Sequence, residues 1–483
     1  MAKSVPQECR SARTCISPSE LTTRQEVSRE TRAAVTHETG VKLSVGARRP
    51  ESGARRPGAP LSADALDPDL LGRVRAAAAA AHGAERAIDY LRRAAELADA
   101  KLRAELVVEA CVLAGATFVS PVVLDLLPEL EALPPSPVRD LALLQTKQIT
   151  GDIDWALGFV KELLAGETAH PDSAVLRMHT AMMAVMVQLT TGDYDPVLGQ
   201  VDAVRAIAHA VRTNAAPLSD PRLAPLPSAE QVLLRATGIA VIAAARVQQQ
   251  ERVMAEMGML SELIGAASDS PALSDALTCR GGLLIASGAI DAATADFERA
   301  LALAARGIVG WSLGHCRVML AYCHWLTGRI TDASAMLEDA AIAALDSIDV
   351  ASRPLVYLMR AVLAAEAGDA AAFDDNQRVA REVTVTDYDT FGAGLVVLAE
   401  VLWMRTQCRY EDVVMMLSPE VLAGRWLSGR EILTYRVEAL AKLGRAEEAD
   451  LELSVLRERA GRDWSPIYGA LDWLEGWLQR RMA

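Results

Sequence analysis

Aromatic residues are scarce in this chain, at 4% of 483 residues. A β-sandwich or barrel draws heavily on Val, Ile, Tyr and Phe, so the shortage argues against one. No Gly-Lys pair occurs, which removes the P-loop and its phosphate cradle. No His-Glu-x-x-His and no Cys-x-x-Cys occur either, so the commonest zinc patterns are missing. The seven cysteines, Cys9, Cys15, Cys111, Cys279, Cys316, Cys323 and Cys408, are odd in number and irregularly spaced. They read as thiols of a cytoplasmic protein, not as a disulfide framework. No apolar run is long enough to span a bilayer, and the N-terminus lacks the apolar core of a signal peptide. We therefore expect no membrane contact.

What remains is Ala- and Leu-rich, with 51% apolar residues and a net charge of −14. The charge is uneven. Residues 1–60 hold 11 Lys/Arg against 6 Asp/Glu, and the rest of the chain holds 38 against 57. An acidic body repels phosphate backbones, so direct nucleic-acid binding is not expected. Residues 1–60 lack apolar periodicity and contain the repeated basic segments Arg48-Arg49-Pro50 and Arg55-Arg56-Pro57. This composition predicts a disordered basic tail or linker.

From Leu61 onward, apolar residues recur at helical spacing between short turns. Gly288, Gly328, Gly368, Cys408 and Gly444 mark equivalent turns, at steps of 40, 40, 40 and 36 residues. Gln248 lies 40 residues before Gly288, and Gly192, Gly151, Gly115 and Gly83 continue the series. A period near 40 with two helices per unit is the signature of a repeat array, in which stacked pairs share a core that one pair cannot form alone. Glycine suits the left-handed residue that ends the first helix. Five residues later, Ala156, Ala293, Ala333 and Ala449 let the two helices approach. The Pro-rich stretch 213–228 reads as an extended inserted loop, and 466–481 as a final capping helix.

Two clusters could carry chemistry. Gly310-Trp311-Ser312-Leu313-Gly314 matches the G-x-S-x-G nucleophile pattern, but an Ala/Leu helix precedes it where that motif requires a strand. The segment reads as a turn, with Ser312 near a helix start. His315, Cys316, Cys323 and His324 share one helix, with the two cysteines two turns apart, too far to converge on one metal. Stacking by 40 residues places Cys323 with Leu363 and Trp403, and His324 with Ala364 and Met404, in apolar columns. Arg317 stacks with Tyr357 and Val397, and Leu320 with Arg360 and Glu400. Arg317, Tyr357, Arg360 and Glu400 are the candidate partner-binding residues, expected on the concave face of a solenoid. No catalytic residue, metal site or cofactor is expected.

The pattern Gly281, Gly288, Ala293, Phe297, Ala300 and then Ala321, Gly328, Ala333, Leu337, Ala340 resembles tetratricopeptide repeats. The resemblance implies an all-α, right-handed superhelical solenoid of helix pairs over 61–483. A narrower resemblance is carried by Ala300–Gly307, Trp311 and Cys323–Ala333, together with Gly83–Ala98. These segments look like the C-terminal sensor region of large ATP-binding LuxR-type regulators, relatives of the maltose regulator. The ATPase and helix-turn-helix of that family are absent from this sequence. The resemblance implies a non-enzymatic sensor module that binds a protein partner or a small effector. The alternative is a general interaction scaffold unrelated to transcription.

Overall fold

The computed structural model describes residues 84–117, 122–149, 151–166, 169–214, 217–346, 352–384, 390–418 and 431–460, with 72 and 75. The proposed tail over 1–60 and capping helix over 466–481 lie outside these residues. The boundary between the two units of the chain falls after Asp64, close to the change of pattern in the sequence.

The described residues form nineteen α-helices and no strand. In chain order they are α1 (Ala84–Leu97), α2 (Ala100–Thr117), α3 (Val122–Ala132), α4 (Pro137–Ile149), α5 (Ile153–Ala165), α6 (Ser173–Thr190) and α7 (Asp195–Thr213). Then come α8 (Ala229–Arg246), α9 (Gln250–Ala266), α10 (Pro271–Ser287), α11 (Ile290–Ala305), α12 (Leu313–Leu326) and α13 (Ile330–Asp346). The series ends with α14 (Arg353–Ala367), α15 (Ala370–Val383), α16 (Thr390–Thr406), α17 (Tyr410–Met416), α18 (Glu431–Lys442) and α19 (Ala446–Ala460). Consecutive helices pack on one another, α15 and α16 through the stacked rings of Phe373 and Trp403, and each even-numbered helix from α2 onward also packs on the following even-numbered one. The result is tetratricopeptide-like: first helices form one continuous layer and second helices lie behind it.

The turn series explains this regularity. Gly151, Gly192, Gly288, Gly328, Gly368 and Gly444 all have positive φ, as do Gln248 (φ 59°) and Cys408 (φ 56°). At Gly288 the amide donates to the Ile285 carbonyl and the Ala289 amide to that of Leu284. This is the Schellman closure, and Gln248, Gly328, Gly368, Cys408 and Gly444 repeat it. The turn geometry thus holds even where the residue is not glycine. Gly115 is different. It lies inside α2, where an added Cβ would come within 2.5 Å of Gln145 Oε1. There glycine serves the close approach of α4 and marks no turn, so the series does not extend back to it.

The small residues do what the repeat resemblance implies. Ala156, Ala293, Ala333 and Ala449 have no exposed surface, and Phe297 fills the space beside Gly281. A Cβ on Gly281 would meet the Phe297 ring at 2.5 Å. One apolar cluster joins α8–α19, a second joins α1–α6, and a third lies among α6–α9. No described helix is long and apolar enough to cross a membrane.

The inserted stretch between α7 and α8 is a long loop that folds back onto earlier helices. Pro221–Leu223 forms a 3-10 turn packed on α2, and Leu223 and Leu226 join the α1–α6 core. Leucines set three apart in a Pro-rich segment can fill a hydrophobic seam that a polar loop would leave wet.

Candidate functional site

The four sequence-derived residues lie on three consecutive first helices. Along α14, Arg353, Tyr357, Arg360 and Leu363 form the part-exposed stripe, while most of the residues between them are buried. Their spacing of four, three and three is one helical face. Arg317 on α12 and Glu400 on α16 are likewise half-buried.

This stripe borders the second-helix layer. Arg360 pairs with Glu338 of α13, whose side chain is 60% exposed. Glu400 lies in the field of Arg381 of α15, and Trp403 stacks on Phe373 of α15. Burial pushes the Glu400 carboxyl above its usual range, and Arg381 only partly pulls it back. Arg317 makes no hydrogen bond or ion pair with any described residue. Burial lowers its pKa, against weak opposition from Asp339 of α13. Three successive first helices thus carry a half-buried cation with no ion pair among the described residues, an aromatic ring, an ion pair to an exposed glutamate and a carboxyl that burial holds above its usual range.

The polar groups buried in the first-helix layer lie elsewhere, and the sequence reading missed them. Arg235 of α8 and Asp275 of α10 form an ion pair at 2.9 Å, with side chains only 6% and 1% exposed. Arg235 Nε also donates to Asp275 Oδ2, at 3.0 Å. The other oxygen, Oδ1, accepts from the Ser312 amide (3.2 Å) and hydroxyl (3.0 Å) at the start of α12. Gly310 lies against the same oxygen, where a Cβ would come within 2.2 Å. His179 of α6, buried near Arg235, has its pKa lowered to about 4, chiefly by desolvation. A signal was available, because Arg235 and Asp275 are one period apart, as are Asp275 and His315.

The reactive groups considered from sequence are packed away. Ser312 is 2% exposed and its hydroxyl is committed to Asp275, so it links α10 to α12. Cys316 and Cys323 are fully buried, and burial lifts both thiols to about 12. His315 meets Ser352 through Nδ1 at 3.3 Å, and buried His324 is shifted down by desolvation. No group of His, Cys, Asp and Glu suited to a metal occurs among the described residues.

No protein-family model matches this sequence, and no curated protein matches it. Among solved structures the chain is similar to a Rap protein in complex with competence and sporulation factor. The TM-score is 0.46 at 11% identity, over 82% of this chain and 97% of that one. The helix-pair architecture rests on the packing described above.

Proposed function

We propose that this chain is a non-catalytic sensor module. It would recognise a protein partner or small effector carrying an anionic group along the seam marked by Arg317, Tyr357, Arg360 and Glu400. The observation that carries this reading is Arg317. A half-buried guanidinium has lost hydration, and among the described residues it has no ion pair, only the field of Asp339 that does not outweigh the burial. A carboxylate from a partner would restore that balance through a bidentate pair. The neighbouring Tyr357 adds an amphipathic ring of the type enriched where partners dock. The finer assignment, to the sensor class of ATP-binding LuxR-type regulators, is supported by the segments Gly83–Ala98, Ala300–Gly307 and Cys323–Ala333, with Trp311.

A photo-crosslinking residue at Tyr357, set against one at exposed Arg177 on α6, tests the reading in native cytoplasm. Adducts unique to position 357 that disappear with Arg317→Ala are the expected result. Identical adducts and yields with and without Arg317 would rule the seam out.

A further inference from the structure

The link from α7 to α8 is long. The links from α9 to α10 and from α11 to α12 run only over 267–270 and 306–312, whereas this one runs over 214–228. Its extra length reaches back to α2, two helix pairs earlier, and packs there. Its contacts have the form of a bound linear peptide. The Asp172 carboxylate, at the start of α6, accepts from two successive amides, Ser219 (3.1 Å) and Asp220 (2.9 Å). The Asp220 carboxylate accepts from the Arg222 amide and guanidinium and lies 3.6 Å from His170 Nε2. Arg222 in turn sits in the field of Glu105 and Glu109 on α2. Leu223 and Leu226 enter the apolar cluster of α1–α6, while Leu218 stays 41% exposed. At the far end the Pro227 backbone lies near buried His179 of α6 and weakly opposes the desolvation of its ring.

We propose that residues 217–227 are a peptide ligand bound in cis. On this view the surface of α2 and α6 beneath them is a recognition site for an extended partner peptide. The chemistry specifies that partner: an acidic residue, then arginine two positions on, then two leucines three apart. Asp172 recognises main-chain amides, which any peptide supplies. Glu105 and Glu109 select the arginine, and the α1–α6 seam selects the leucines. Only two strap side chains reach the core, and the rest of the grip is electrostatic or made by hydrogen bonds. Such a segment opens separately from the helices it covers.

The test uses the full chain and a fluorescent peptide of residues 213–228. In wild type the cis segment competes, so the peptide binds weakly. In the Leu223→Ser, Leu226→Ser chain the site is vacated, and affinity should rise by about tenfold or more, since apparent affinity scales with the vacant fraction. The same two substitutions in the peptide should abolish binding. A vacated chain that keeps its helical content yet binds no better than wild type overturns the proposal. Should that variant not fold, hydrogen exchange on the wild-type chain decides. Ser219, Asp220 and Leu223 amides exchanging about 100-fold faster than the buried amides of α2 and α6 support a displaceable strap. Exchange at the same rate as those helices shows an integral part of the core and refutes it.

Discussion

Replacing Asp275 with Ala should be among the most damaging single changes in this protein. The carboxylate is 1% exposed and accepts four hydrogen bonds or ion-pair contacts, two from Arg235 and two from Ser312. Removing one partner of a buried ion pair costs about 3–5 kcal/mol, because the other charge stays buried without compensation. The Ser312 amide and hydroxyl also lose their acceptor, a further penalty of about 1–3 kcal/mol. A loss of at least about 4 kcal/mol is expected, measured by urea unfolding followed by far-UV circular dichroism near neutral pH. The pair Arg235→Met, Asp275→Leu removes both charges at similar volume. It should recover most of the loss, retaining only the Ser312 penalty of about 1–3 kcal/mol. A loss below about 1.5 kcal/mol for Asp275→Ala, or a double variant no more stable than the single, would show that the pair is hydrated and that this reasoning fails.

Other consequences follow from the turns, the core and the thiols. Gln248→Gly should stabilise by about 0.5–1 kcal/mol in the same assay. The left-handed conformation costs a non-glycine residue about 1–2 kcal/mol, and the entropy of glycine returns part of it. Gln248 is exposed, so no packing is lost. Gly281→Ala should destabilise by about 1–3 kcal/mol through its clash with Phe297, and Phe297→Leu should relieve it. His179 is held neutral, with a folded pKa near 4 against an ordinary value of 6.5. Its contribution is therefore intact above pH 6.5 and lost as pH falls from there through 4. That is about 3 kcal/mol in all, seen as a difference in acid stability between wild type and His179→Leu. With Cys9 and Cys15 changed to Ser, a thiol reagent should label Cys408 quickly. Cys111, Cys279, Cys316 and Cys323 should react only on unfolding, because they are buried and their thiols are shifted upward.

The repeat was legible because its signals are local. Gly288, Gly328, Gly368 and Gly444 stand where chain reversal needs positive φ, and Ala293 and Ala333 where two helices need proximity. The period was strong enough to locate Gln248 and Cys408 at the same turn without glycine. It failed at Gly115, since a glycine required for close packing reads the same in sequence as one required for a turn. The candidate residues Arg317, Tyr357, Arg360 and Glu400 were found as the polar members of two columns on one face of the first helices. Arg235 and Asp275 have the same property, yet they escaped notice because the ion pair joins neighbouring repeats. A search for polar residues within each helix does not test for partners one period away.

The sequence by itself determined the helix pairs, their register and the burial of Cys323 and His324. Those features follow from period, turn chemistry and apolar spacing, which act over a few residues. Only the tertiary structure decided three things. It set which second helix meets each charge of the Arg317–Glu400 stripe. It closed the Arg235–Asp275–Ser312 network across three repeats. It returned the Pro-rich insertion to α2 through Asp172, Leu223 and Leu226. Each depends on contacts between residues some 20 to more than 100 positions apart, whose partners are chosen by packing and by the need to satisfy buried charge.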